Sequence, residues 1–417
     1  MSIDSFGIPK ISLRHLKSAA YVAEYKNVTR AANVLNRSQT AVTKAISELE
    51  ATLNRKLFDR SSTGMMPTVY GEALALRVRG AMAEFEAAGV ALEQFRVRGR
   101  PHHSSPVFNL DVSYKRLAAF IALHEKRDVA GAANALGITK AAVYNSVRQL
   151  EELLEIELFQ REPHGAAPTP YCNVLARHTK LAFAEIRHAI EDLARLDGIT
   201  QGGVVIGTLP YTRTYLTPKA INRLLAEHPQ LDVSTREGTY DLLEASLRSG
   251  EIDCIIGAIR SQESRTDIAT EQLFEDRLSV IARSNHPLMG KSTIQLKDLQ
   301  GVQWVLPDTG TPARILFEET IRKHQMDVPA HAVHTSSLSM VRGLLLDSDR
   351  VALLSEHQIF YDKQYGVLDV LPVELEETYR PIGITMRAHT QPSPAAQLFL
   401  DELRSVAAEV SATTTQK

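Results

Sequence analysis

Apolar positions in the first half of the chain recur with helical spacing. Ala31, Ala32 and Leu35 share one face of a short helix, and the small alanines let a second helix approach closely. Ser38 is a good N-cap for that second helix. The helix it opens buries Val42, Ile46, Leu49 and Leu53, spaced i, i+4, i+7 and i+11. Gln39, Thr40, Thr43, Lys44 and Ser47 then point away from the core. Leu57 and Phe58 close the unit, and Arg60-Ser61-Ser62 followed by Gly64 predicts a wing. From Val204 the pattern changes. VVIGTLP, LDVSTREG, IDCIIGAI, LSVIAR, VQWVLP and VALLSE are short β-branched or apolar runs, separated by helical segments such as TPKAINRLLAEH and YDLLEASLRSG. That alternation predicts an α/β domain with a mostly parallel sheet.

The helical half repeats itself. RAANVLNRSQTAVTKAISELEATLNRKLFDR, residues 30–60, is matched by GAANALGITKAAVYNSVRQLEELLEIELFQR, residues 131–161, at an offset of 101 without insertion or deletion. Pairing Ser12–Glu86 with Ser113–Arg187 gives 25 identities in 75 positions. They fall where a packed unit needs them, as at Leu16/Leu117, Leu35/Leu136, Val42/Val143, Leu49/Leu150 and Phe58/Phe159. The duplicated unit includes a trailing helix. VRGRPHHSSPVFNLD (residues 97–111) predicts an exposed linker between the copies, and RLDGITQGG (195–203) a second boundary. The expected division is 10–96 and 112–197 for the repeated units, 97–111 for the linker and 203–405 for the α/β domain, with SATTTQK as a frayed tail.

Composition narrows the reading. At 417 residues the chain predicts two to four domains. Hydrophobic content of 44% and charged content of 23% are those of a soluble globular protein. No apolar run approaches the roughly 18 residues of a membrane span, so no membrane role is expected. MSIDSFGIPK lacks a basic stretch followed by an apolar core, so no signal peptide is expected and the cytoplasm is the expected compartment. Cys172 and Cys254 are too few for a disulfide framework or zinc cluster. A net charge of -2 says nothing for nucleic acid by itself, but the copies differ locally. Residues 12–96 carry 12 Lys/Arg and 8 Asp/Glu, a net of +4, whereas residues 113–197 carry 11 of each. Phosphate neutralisation is the main sequence-independent source of affinity for nucleic acid, so on charge alone the first copy suits such a partner better than the second. There is no Walker-type phosphate loop, no G-x-S-x-G elbow and no H-E-x-x-H, so neither an enzyme nor a cofactor or metal is expected.

The string AANVLNRSQTAVTKAISELE…LFDR…G..PT.YGEAL resembles the winged helix-turn-helix of LysR-type transcriptional regulators across its full length. The resemblance implies DNA contacts from Ser38, Gln39, Thr40 and Lys44, with Thr43 on the same outward face, and phosphate contacts from Arg60, Arg30 and Thr68. The helix from Tyr70 to about Phe95 corresponds to the family's linker helix, normally a dimerisation element. The second copy fits the same pattern but departs at its surface. Thr139 keeps the capping role of Ser38, and the groove-facing set becomes Lys140, Ala141, Tyr144, Asn145 and Arg148. Its wing, Arg161-Glu162-Pro163-His164, adds a carboxylate, and Cys172 replaces Gly71. Two roles stay open for it: a second DNA contact, or a scaffold whose trailing helix (Tyr171 to Leu196) supplies a dimer contact.

GGVVIGTLP and LDVSTREGTYDLLEASLRSGEIDCIIGAI resemble the same family's effector-binding domain, with the fold of a type 2 periplasmic binding protein. The implied architecture is two winged helix-turn-helix domains dominated by helices, each with a linker helix, followed by a two-lobe α/β domain around a cleft. Ligands of such folds sit at strand C-termini and helix N-termini. Four loops qualify: Thr208-Leu209-Pro210-Tyr211-Thr212-Arg213, Glu237-Gly238-Thr239, Thr309-Gly310-Thr311 and Ser336-Ser337. Arg213, Arg260 and Arg314 are candidate partners for a carboxylate or phosphate. The expected partners are promoter DNA and a small-molecule effector: an organic acid, an aromatic acid or a sugar-like compound. A homodimer or homotetramer is also implied, with a contact to RNA polymerase left open. The alternative is a sensor or architectural protein in which the duplicated unit mainly oligomerises.

Overall fold

The helix expected after Ser38 begins at Gln39, where the Ser38 hydroxyl accepts a hydrogen bond from the Ala41 amide at 3.1 Å. In the computed structural model, residues 11–61, 64–93, 105–162, 165–260, 266–291, 294–373, 375 and 378–415 are described. The chain divides into two units, Met1–Gln201 and Gly202–Lys417.

In the first unit the order is α1 (Leu13–Tyr25), α2 (Val28–Val34), α3 (Gln39–Leu53), β1 (Phe58–Ser61), β2 (Gly64–Pro67) and α4 (Val69–Glu93). It then recurs as α5 (Tyr114–Lys126), α6 (Val129–Leu136), α7 (Lys140–Leu154), β3 (Phe159–Glu162), β4 (Gly165–Pro168) and α8 (Pro170–Leu196). Local devices recur with it. The Glu50 carboxylate accepts from the amides of Leu57 and Phe58, and Glu151 does the same for Leu158 and Phe159. Such charge-assisted bonds contribute about 1.5–3 kcal/mol each and seat each hairpin on its helix. At the far end of each hairpin, Met65 donates to the Lys26 carbonyl and Ala166 to that of Arg127. Gly64 and Gly165 make these approaches with φ of +144° and +148°.

One continuous apolar core joins both copies. Its spine is α4 against α8, which bury the same positions of the repeat: Leu74/Leu175, Ala81/Ala182, Phe85/Ile186, Ala88/Ala189 and Leu92/Leu193. The segment between the copies corrects an expectation. Residues 94–104 lie outside the described part, but Pro106–Asn109 is a 3-10 helix with Val107, Phe108 and Leu110 buried, not an exposed linker. An apolar V-F-x-L quartet outweighs the loop-like composition around it, because its burial is worth several kcal/mol. Asp111 follows and gathers Lys17 at 2.9 Å and Arg37 at 3.4 Å.

The second unit contains β5 (Gly203–Thr208), α9 (Leu216–Glu227), β6 (Asp232–Glu237), α10 (Tyr240–Arg248), β7 (Cys254–Ala258), β8 (Ile268–Arg283), β9 (Trp304–Leu306), α11 (Pro312–Lys323), β10 (Ala332–His334), α12 (Leu338–Leu346), β11 (Val351–Ser355), α13 (Phe360–Gln364), β12 (Leu368–Val370), β13 (Tyr379–Arg387) and α14 (Pro394–Thr415). The strand order is β10-β9-β11-β8-β13-β7-β5-β6, with β12 also on β8. The sheet is mixed, not mostly parallel. Outer pairs such as β5–β6 and β9–β10 are parallel, whereas β8 and β13 pair antiparallel with each other and with β7 and β11. β8 is long enough to serve both halves, pairing with β13 through its first part and with β11 and β12 through its last. α14 continues to Thr415 where a frayed tail is expected.

Gly64→Ala places a Cβ 2.4 Å from the Lys26 carbonyl oxygen at a φ that L-residues rarely adopt. The expected cost is about 3 kcal/mol. For a unit of this size that lowers Tm by about 6–12 °C, read by thermal unfolding followed by circular dichroism. An unchanged Tm would show that the hairpin is not anchored there.

Candidate functional site

The outward faces of α3 and α7 form the first candidate site. Gln39, Thr40 and Lys44 are exposed on the opening turns of α3, with Thr43 half-buried beside them. Lys44 lies 3.7 Å from Glu48, but both are largely solvated and the pair holds little. Arg30 is exposed on α2 with its guanidinium 4.9 Å from the centre of the Tyr25 ring. Arg60 is exposed on β1. Two candidates have structural duties. Ser38 caps α3, and Thr68 donates to the Lys56 carbonyl at 2.8 Å while accepting from the Gly71 amide at 3.2 Å.

On α7 the exposed set is Lys140, Tyr144, Asn145 and Arg148, with Thr139 capping through the Ala142 amide. Tyr144 is 56% exposed, so its ring is not a core group of this unit. Arg148 lies 3.0 Å from Glu152 at the surface. Arg161 is in β3, and its side chain lies outside the described part of the structure. The repeat thus keeps the caps at Ser38/Thr139 and the bracing by Glu50/Glu151, while the outward residues Gln39/Lys140, Thr40/Ala141, Thr43/Tyr144 and Lys44/Asn145 all differ.

The second candidate is a cavity of about 120 Å³ in the α/β unit. For scale, a cavity of about 150 Å³ accepts benzene. Its walls are Leu209, Ala258, Leu278, Leu338, Val341, Leu353 and Leu354, with prolines 210, 307 and 312. Of the expected loop residues, Pro210, Tyr211, Thr311 and Ser336 line it, as does the candidate anion partner Arg260. Arg260 lies 3.5 Å from Asp241 and 4.3 Å from the Tyr240 ring centre. Ser336 donates to Asp308 at 2.5 Å, and Thr311 caps α11 through the Arg314 amide.

The other expected residues are elsewhere, for identifiable reasons. Thr208 and Thr212 are buried, and Thr212 donates back to the carbonyls of Leu209 and Ile256. Arg213 turns onto the Thr208 carbonyl at 2.7 Å and pairs with Glu237 at 3.1 Å; burial lowers its pKa. Thr239 caps α10 and Ser337 caps α12, and Gly238 adjoins the first of these caps. Thr309 and Gly310 are exposed in the turn before α11, where Gly310 has a φ of +77°. Arg314 is buried against Glu318 at 2.6 Å and His334 at 3.2 Å.

Thr335, Gln358 and Arg380 line the cavity and are not among the loop candidates. A signal for Arg380 does exist. It stands in line with Ile382 and Ile384 on the inward row of β13, as Asp276 does with Leu278 and Val280 on β8. The two are cross-strand partners, with the guanidinium 3.3 Å from the carboxylate. Ser355 donates to the same carboxylate at 2.6 Å, and the Tyr211 ring centre is 5.2 Å from the guanidinium. Burial pushes the Asp276 carboxyl above its ordinary range, opposed by Arg380 and Ser355. Burial raises the Tyr211 phenol likewise.

Comparison with known proteins gives consistent matches. The model of the LysR substrate binding domain matches residues 198–408. That of the bacterial regulatory helix-turn-helix protein, lysR family, matches twice, over 13–72 and 114–173. The chain is similar to the HTH-type transcriptional regulator GalR of Pseudomonas putida, 35% identical over 398 residues, 95% of this chain and 98% of that protein. It is 26% identical to the HTH-type transcriptional regulator PcaQ of Agrobacterium fabrum over 299 residues, 72% of this chain and 96% of that one. A full-length OxyR variant from Pseudomonas aeruginosa shares the fold with a TM-score of 0.54 and 23% identity, over 71% of this chain and 97% of its own.

Arg380→Met leaves the Asp276 carboxylate buried without its counter-charge, at an expected cost of about 3–5 kcal/mol. Adding Asp276→Asn should recover a large part of that loss in chemical denaturation. A single variant as stable as the parent would show that the pair carries no weight.

Proposed function

The chain belongs to the LysR family of bacterial transcriptional regulators, and from that premise we propose a ligand-responsive DNA reader with two winged helix-turn-helix heads in tandem. The observation that carries the reading is the pair of exposed polar faces at the starts of α3 and α7, each on a scaffold braced by the same contacts. A helix-turn-helix places such a face in the major groove, where Gln, Asn, Lys and Arg reach base edges and phosphates. Support for the duplication comes from the two family matches, which start 101 residues apart at 13 and 114. PcaQ, aligned over 96% of its length, takes up only 72% of this chain. In this reading the heads occupy 10–96 and 112–197, and the effector domain 203–405.

Ser38, Gln39, Thr40, Thr43 and Lys44 form the stronger face, with Arg30, Arg60 and Thr68 at its edges. Thr139, Lys140, Tyr144, Asn145, Arg148 and Arg161 form the weaker one. The cavity is proposed to take a small organic or aromatic acid. Its walls are largely apolar, and Arg260, Thr311, Thr335, Ser336 and Gln358 line it as well. That set suits recognition of an anion, and binding is the role proposed for it. Effector binding would then shift the population of lobe arrangements. A cytoplasmic homo-oligomer acting at a promoter completes the proposal; among the described residues no helix is long and apolar enough to cross a membrane.

Two measurements test this. In a gel-shift titration on DNA from upstream of its own gene, Gln39→Ala with Lys44→Ala should weaken binding more than Lys140→Ala with Arg148→Ala. Equal losses would refute the ranking, and no shift at moderate salt would sink the DNA reading. In a thermal-shift screen of the full chain against aromatic and aliphatic acids, a ligand of the folded state raises Tm. Arg260→Gln should then weaken that ligand about tenfold or more; an unaltered affinity would remove the cavity from the site.

A further inference from the structure

The trailing helices α4 and α8 pack antiparallel, and beside the unrepeated Arg77–Asp192 pair at 2.7 Å two of their polar contacts obey a symmetry that the sequence numbering exposes. Arg77 pairs with Glu185 at 3.3 Å, and Glu84 pairs with His178 at 2.8 Å. Adding the repeat offset of 101 turns Arg77 into His178 and Glu84 into Glu185. Each contact is therefore the image of the other, with the two copies exchanged. Residue i touching j while j touches i is the mark of an isologous, two-fold interface between identical subunits. Here both partners belong to one chain. The Arg77 side chain is only 4% exposed, and Gly80 allows the close approach, since a Cβ there would stand 3.2 Å from the Glu185 side chain.

We infer that a single chain is a complete two-headed reader whose DNA partner is a duplex with two unlike half-sites in inverted orientation. This rests on the reading of α3 and α7 as groove helices. A two-fold reader places its heads in equivalent positions on two inverted half-sites, as symmetric helix-turn-helix dimers do on palindromes. In this chain the interface is closed internally, while the groove faces have diverged: Gln39 and Lys44 on one head stand where Lys140 and Asn145 stand on the other. Different side chains at equivalent positions recognise different base edges. The chain therefore reads an operator whose left and right halves differ, with one head of each kind on every site.

The test is selection of bound duplexes from a random library by the full-length protein, followed by sequencing. The expected motif has two halves of different sequence. Gln39→Ala with Lys44→Ala should lower discrimination in one half by about tenfold and leave the other half intact. Lys140→Ala with Arg148→Ala should do the reverse. All four side chains are at the surface, so these variants keep the fold. A palindrome whose halves both respond to the first pair, and neither to the second, overturns the inference while leaving DNA reading in place. Failure of the unaltered chain to enrich any motif overturns both.

Discussion

The packing of α4 against α8 organises the N-terminal unit. Each helix presents an apolar stripe that a lone winged helix cannot cover, and each stripe finds its partner in the other copy. The two copies share one core in consequence, beside which Ala132, Ala133, Val143 and Val147 of the second form a smaller cluster of their own. The 3-10 turn at Pro106–Asn109 fills the remaining space and brings Asp111 among Lys17 and Arg37 of the first copy. Arg55 and Tyr70 of the first copy also reach Asp197 at the end of α8. The second copy is thus part of the frame that holds the first, whatever it reads for itself.

In the α/β unit the corresponding constraint is continuity of strand. β8 pairs through one half of its length with β13 and through the other with β11, so both halves of the sheet are anchored on one backbone. Asp276, Arg380 and Ser355 sit where those pairings meet, and the cavity opens beside them. A buried ion pair adds little net stability compared with apolar packing, but it penalises any register that separates its partners.

How much of this is legible in the sequence depends on the range of the interactions. The repeat, the caps at Ser38 and Thr139 and the turn glycines follow from residues within a few positions of one another. The strands follow from their apolar runs. The roles of Glu50 and Glu151 are visible only once the hairpin has returned to the helix. Residues 97–111 read as a linker because their two prolines and two serines outweigh a short apolar stretch that only tertiary packing can reveal. The mixed sheet escapes a pattern-based reading because β13 reaches β8 across about a hundred residues. At the cavity, the search for an anion partner finds Arg260, and loop position finds Pro210, Tyr211, Thr311 and Ser336. It misses Arg380, which lies within a strand, and it overcounts Thr212 and Arg213, whose donors are satisfied locally.

The internal closure of the α4–α8 contact has a consequence for dilution. Two heads carried on one chain face each other at an effective concentration set by the chain between them, on the order of millimolar. Their pairing is therefore independent of how many molecules the cell contains. A two-headed unit assembled from separate chains loses its partner as copy number falls, and its occupancy declines with the square of concentration. On the proposed two-headed reading, one that is paired by covalent connection declines only in proportion, so it keeps its grip at scarcities where an assembled pair would have come apart.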